Sequence, residues 1–155
     1  INMDSQIPNA VVFEALRENR IPELEGVVNF KREVSYGNSR FDIYFESGEQ
    51  KGFIEVKGVT LENNSIAMFP DAPTERGAKH AMEMVKAVKK GYMGVILFLI
   101  QMKGPKIFRL NWEMDENFSR AVEFASENGV KILAYDSIVA KNSINLDRPI
   151  EIDLS

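Results

Sequence analysis

The chain has 155 residues, 45% of them hydrophobic, which is enough apolar mass for one ordinary core. It has no cysteine and a single histidine, so disulfides and thiolate zinc sites are excluded and a zinc-type centre is disfavoured. A net charge of −4 argues against a protein that coats nucleic acid by bulk positive charge. The longest apolar run, Val95 to Ile100, falls far short of the roughly 20 residues a spanning helix needs. With no leader pattern, repeat or linker either, we expect a single cytoplasmic domain over residues 1–155 with no membrane partner.

Pro8 to Asn19 reads as a helix, with Pro8 tolerated in the first turn and Val11, Val12, Ala15 and Leu16 on one stripe. Val28 to Tyr36 alternates and stops at the turn signal Gly37-Asn38. Ser39 to Glu46 alternates strictly, placing Phe41, Ile43 and Phe45 on one face and Arg40, Asp42 and Tyr44 on the other. The short polar segment Ser47 to Lys51 suits a hairpin loop. Gly52 to Gly58 then puts Ile54 and Val56 on one side and Phe53, Glu55 and Lys57 on the other. Glu62 to Pro73 reads as an irregular loop, because Pro70 and Pro73 bar a regular ladder or helix.

Thr74 is expected to cap a second helix that buries Ala78, Ala81, Met82, Val85 and Val88 and ends at Gly91. Met93 to Gln101 is almost continuously apolar, as in a strand covered on both faces. A third helix over Asp115 to Asn128 stops at Gly129, and Val130 to Tyr135 is the last clear strand. The order implies an α/β fold: a mixed central sheet, made of an antiparallel meander plus further strands, flanked by helices.

If both central strand assignments hold, the hairpin brings Asp42 next to Glu55 and Lys57 on a shared face. Two adjacent carboxylates repel, and a bound cation relieves that repulsion. Hard oxygen ligands select Mg²⁺ or Mn²⁺, with Asp42, Glu55 and the Val56 carbonyl as the protein's ligands. Such a centre suits hydrolysis of a phosphodiester, with Lys57 stabilising charge on the phosphate or positioning water. Taken as a bare pattern, Asp…Glu-x-Lys also suits the solvated face of a charged sheet.

Positive charge concentrates in Thr74 to Lys90, where five cations stand against two carboxylates. From this region and the Asp42 strand we take Arg40, Arg76 and Lys79 as candidate nucleic-acid contacts, with Arg32 adding charge nearby. Lys86, Lys89 and Lys90 read as solvation of a helix. His80, four residues after Arg76, is either a general base or an exposed helical histidine. Gln101 either reaches the site or makes hydrogen bonds at the core edge. Tyr92, Phe108 and Trp112 read as core aromatics with no arrangement into a stacking platform, and Asp71 reads as a helix cap with Glu75 beside it.

The segments P-N-A-V-V-F-E-A-L (Pro8 to Leu16), R-E-V-S-Y-G-N-S-R-F-D (Arg32 to Asp42), G-V-T-L (Gly58 to Leu61) and A-M-F-P-D-A-P-T-E-R-G-A-K-H (Ala67 to His80) resemble the sugar fermentation stimulation protein family. The resemblance runs from about Ile7 to Tyr135. It implies a restriction-endonuclease-like core of the PD-(D/E)xK nuclease superfamily, with the first acidic position on Asp42 and the Glu-x-Lys on Glu55 and Lys57. Phe41 stands where the superfamily name has proline. The resemblance also implies an extra acidic ligand on the first helix, at Glu14, and an N-terminal OB-like barrel before the nuclease-like domain. The chain opens at Ile1-Asn2-Met3 without barrel sequence, so we expect the nuclease-like domain alone. The implied function is a DNA-binding protein with metal-dependent phosphodiesterase activity on nucleic acid, DNA foremost. The alternative is a non-cleaving DNA-binding regulator of maltose and sugar metabolism.

Overall fold

A computed structural model describes residues 6–155; the opening Ile1-Asn2-Met3 lies outside them. The first helix, α1 (Gln6–Arg17), is followed by a 3-10 turn at Pro22–Leu24. Three strands come next: β1 (Val28–Tyr36), β2 (Ser39–Ser47) and β3 (Gln50–Val59). A small hairpin of β4 (Leu61–Asn63) and β5 (Ile66–Phe69) precedes α2 (Glu75–Lys89). Then follow β6 (Met93–Ile100), β7 (Ile107–Leu110), α3 (Glu116–Glu127), β8 (Lys131–Ala140), β9 (Ser143–Pro149) and β10 (Glu151–Asp153).

The central sheet has the order β1-β2-β3-β6-β8-β9. It is antiparallel at both flanks and parallel in the middle, where β3 pairs with β6 and β6 with β8. Parallel neighbours need crossover connections, and α2 and α3 supply them. The mixed sheet flanked by helices is the predicted class.

β6 shows why. Its residues from Val95 to Ile100 are all at most 2% exposed. Val95, Leu97 and Leu99 enter the core under α1, while Ile96, Phe98 and Ile100 enter the core under α2 and α3. A strand in the sheet centre has no wet face, so period-two patterning disappears from its sequence. Phe98 stacks on Phe108 at 4.4 Å and sits near Phe69 and Phe118, which ties a second sheet, β10-β7-β5-β4, to the α2/α3 side.

Three expectations are corrected. Residues 62–73 do not form one irregular loop: β4 and β5 pair through a two-residue turn, with Asn64 and Ser65 both at positive φ (55° and 68°), the geometry of a tight hairpin. Only the stretch around Pro70 and Pro73 is irregular. On α2 the buried set is Gly77, Ala81, Glu83, Met84, Val85 and Ala87, whereas Met82 is 39% exposed and Ala78 and Val88 are half-buried. The face turns because α2 packs on α3 as well as on the sheet; a Cβ on Gly77 would stand 3.0 Å from the Phe118 ring. Finally, Val130 to Tyr135 is not the last strand. β8 runs on to Ala140, and β9 and β10 follow it.

Candidate active site

The site forms where the meander comes apart. The β2–β3 ladder runs from Ser47↔Gln50 to Ile43↔Ile54 and goes no further. At the next position the Asp42 carboxylate enters the gap, where its Oδ2 accepts from the Val56 amide at 2.7 Å. Its Oδ1 accepts from Asn9 Nδ2 of α1 at 3.0 Å. Across β2 on the other side, the register leaves Asp42 opposite Glu33, whose φ is +57°. A left-handed non-glycine residue inside a strand bends the chain locally and changes the facing of its neighbours.

The expected alternation of β2 is corrected at this point. Ile43 and Phe45 pack under α1, but Phe41 packs with Phe53 under α2 and α3. The face therefore switches at Asp42. In β3 the alternation holds: Ile54 and Val56 lie under α1, and Phe53 and Val59 lie on the opposite side with Glu55 and Lys57 between them.

Glu55 is 3% exposed. Its Oε2 lies 3.3 Å from Lys57 Nζ and 2.7 Å from His80 Nδ1. The His80 contact has ion-pair distance without the alignment of a hydrogen bond, and Glu55 Oε1 is buried with no hydrogen-bond partner among the described residues. Burial alone would raise the Glu55 carboxyl, but His80 and Lys57 outweigh it and hold the group below the usual glutamate value. Asp42 goes the other way. Burial, and then the neighbouring Glu55 charge, push it up to about 6, against the opposing pull of the Val56 amide, Lys57 and Asn9. Two carboxylates at one sheet end are thus driven apart, one firmly anionic and one titrating near neutrality.

Around them lies a cleft of about 670 Å³, within the range of small-ligand sites. Its wall includes Gln101, Arg76, Arg40 and Asp71. Gly58 brings α1 and Gln101 this close, because a Cβ there would stand 2.7 Å from Gln101 Nε2 and 2.8 Å from Pro8 Cγ.

Not every predicted residue joins them. Glu14 is exposed on α1 in an ion pair with Arg17 at 3.7 Å, outside the cleft. The α1 residue that reaches Asp42 is Asn9, five positions earlier and so roughly 140° around the helix. Asn9 is a buried polar residue beside an apolar stripe, and that placement is its only signal in the sequence. Asp71 does not cap α2; Thr74 does, its Oγ1 accepting from the Gly77 amide, while Asp115 accepts the Thr74 amide. Arg32 leaves the Asp42 face and lies over the Phe13 ring. Arg40 pairs with Glu33 at 3.3 Å, and Lys79 lies next to the cleft. Phe108 packs in the core, and Tyr92 and Trp112 pack half-buried against it.

Comparison with known proteins bears on the family and the fold of the chain. The family model described as the sugar fermentation stimulation protein RE domain matches residues 6–143. A sugar fermentation stimulation protein homolog from Alkaliphilus oremlandii is 62% identical, covering 99% of this chain and 67% of that relative. A homolog from Clostridium botulinum (strain Langeland) is 51% identical with the same coverage. The structure of Pyrococcus furiosus SfsA in complex with Ca²⁺ superposes with a TM-score of 0.86 at 28% identity, over 94% of this chain and 64% of that one. The chain thus spans about two thirds of the length of these relatives. On the family match across nearly all described residues and the high identity of its relatives, this protein belongs to the sugar fermentation stimulation protein family.

Proposed function

We propose that the domain is a divalent-cation-dependent phosphodiesterase acting on nucleic acid, DNA foremost. The observation that carries this reading is the Asp42–Glu55 pair at the opened sheet end, with the buried Glu55 Oε1 left unpartnered. A buried acceptor without a partner is costly, and a cation would satisfy it. The donor set fits a hard metal: two carboxylates and the Val56 carbonyl. No group of three or more His, Cys, Asp or Glu suited to a metal converges among the described residues. Mg²⁺ and Mn²⁺ tolerate so few protein ligands because they retain water. The Ca²⁺ complex of the Pyrococcus furiosus relative supports hard-cation chemistry in the family.

Asp42, Glu55 and the Val56 carbonyl would hold the cation, which supplies Lewis acidity toward a phosphoryl oxygen. Lys57, 15% exposed, keeps its ammonium at the cleft and stabilises charge gathering on the phosphate. His80 and Lys57 hold Glu55 in its anionic form. Arg76 faces the same cleft and binds substrate phosphate.

The test is calorimetric titration of Mg²⁺ and Mn²⁺ into wild type and Asp42→Ala, followed by cleavage assays on single- and double-stranded DNA and RNA. We expect micromolar-to-millimolar binding and metal-dependent cleavage, both lost in Asp42→Ala. No metal binding with or without substrate, together with DNA affinity that rises when the carboxylate is removed, would instead favour a non-cleaving DNA-binding regulator.

A further inference from the structure

Beside the cleft, and sharing Arg40, Arg76 and His80 with it, a second groove of roughly 560 Å³ runs between the β1–β2 turn and the first turns of α2. Arg76 and Lys79 stand three residues apart on α2, hence on one helix face. Neither joins any ion pair found among the described residues. Lys79 Nζ donates to the Asn38 carbonyl at 3.2 Å, which anchors the ammonium and leaves further protons to give. Ser39, which also lines the groove, is 8% exposed, and its hydroxyl is buried with no hydrogen-bond partner among the described residues. Two uncompensated cations and an unsatisfied buried hydroxyl are the donor set for a phosphate oxygen.

The geometry points to a second phosphate site: a strand whose scissile phosphate meets Asp42 and Glu55 lays a neighbouring backbone phosphate among Arg76, Lys79 and the Ser39 hydroxyl. This rests on the nucleic-acid reading of the cleft and narrows the substrate class to a strand with at least two phosphates, rather than a mononucleotide or a small phosphodiester. Arg40 stands at the junction of cleft and groove, where Glu33 holds it at 3.3 Å. Glu33 therefore competes with the strand for that guanidinium.

The test is anisotropy of a fluorescent single-stranded DNA oligonucleotide in EDTA over a series of salt concentrations. It compares wild type with Lys79→Gln, Ser39→Ala, Glu33→Gln and, as a control at the far end of β3, Lys51→Gln. Lys79→Gln should reduce the slope of log affinity against log salt by roughly 0.7, one phosphate contact on a single strand. Ser39→Ala should weaken binding at every salt concentration without changing the slope. Glu33→Gln should tighten binding severalfold. A wild-type slope in Lys79→Gln, or an equal fall in Lys51→Gln, overturns the site. Should Ser39→Ala lower the melting temperature, an oligonucleotide with one neutral methylphosphonate linkage replaces that arm, and Lys79→Gln should lose nothing further on it. A reduced Lys79→Gln slope in a protein that never cleaves would leave the phosphate site standing and remove the phosphodiesterase reading. Cleavage with an unchanged slope would do the reverse.

Discussion

The Val56 amide donates to Asp42 Oδ2 at 2.7 Å in the place where β2 would have supplied the next rung of its ladder to β3. One side chain therefore stitches the opened strands together and presents its remaining lone pairs to the cleft. The same residue carries two opposing demands: structure asks for two hydrogen bonds, from the Val56 amide and from Asn9, and metal binding asks for a charge. Asn keeps the acceptor for Val56 and, once the Asn9 amide flips to present its oxygen, the second bond as well, but it fails the demand for charge. Because burial and Glu55 raise Asp42 from 3.8 to about 6, its ionisation at pH 7.5 destabilises the metal-free fold by about 3 kcal/mol. Asp42→Asn should therefore melt higher than wild type in EDTA and lose the upward shift that Mn²⁺ gives wild type. Scanning calorimetry of both proteins, with and without metal, checks this; a lower melting temperature for Asp42→Asn in EDTA would contradict it.

The same shift sets a pH dependence whose sign is opposite to that of an ordinary ion-paired aspartate. The folded value lies above the unfolded one, so between about 6 and 3.8 the native state holds a proton that the unfolded chain has released. Metal-free stability from this group is greatest below pH 3.8 and declines as pH rises toward about 6. Metal affinity runs the other way, because the cation must displace that proton. Titrations should show apparent affinity falling by up to about tenfold per pH unit below pH 6, while Asp42→Asn shows neither trend.

His80 touches Glu55 and is largely withdrawn from solvent: its side chain is 13% exposed, with Nδ1 2.7 Å from Oε2. Its removal leaves burial as the dominant influence on Glu55, which should then move up from its depressed value. His80→Ala should lower metal affinity about 10- to 100-fold, as the loss of an outer partner of a metal ligand commonly does. His80→Gln, whose amide can donate to Oε2, should recover part of it. Equal affinities for wild type and His80→Ala would assign His80 to packing alone.

Lys57 separates binding from chemistry. Its ammonium neighbours Glu55 Oε2 but supplies no oxygen to a cation. Lys57→Ala should keep metal binding within severalfold of wild type and lower the cleavage rate about 10²- to 10³-fold, the range for a lost donor at developing charge. Single-turnover rates at saturating Mn²⁺ measure this directly. Cleavage at the wild-type rate would remove Lys57 from the mechanism.

The convergence of Asp42, Glu55 and Lys57 was legible because strands with one buried face carry their register in the sequence. Phe53, Ile54 and Val56 set it for β3 without ambiguity. The face switch in β2 was not legible: it falls opposite Glu33 at φ +57°, and glutamate carries no preference for that conformation. Asn64-Ser65 did carry a turn signal, but the prolines further along masked it. β7 and β10 pair in parallel across more than 40 residues of chain, and no local pattern encodes such a pairing. Asn9 was missed for a related reason: its partner, Asp42, is 33 residues away.

Gly58 links the fold to the site. A Cβ there would stand 2.7 Å from Gln101 Nε2 and 2.8 Å from Pro8 Cγ. The first neighbour is the end of a flexible side chain and can swing aside. The second belongs to a rigid ring in the first turn of α1, one residue before the Asn9 that holds Asp42 Oδ1 at 3.0 Å. Relief of the second contact has to move the helix start, and with it the Asn9 amide. Gly58→Ala should therefore lower metal affinity severalfold more than its effect on melting temperature suggests. Combining it with Gln101→Ala should not restore binding, because the ring contact persists. If the double variant binds metal like wild type, the crowding lies in Gln101 alone, and the position of α1 does not govern Asp42.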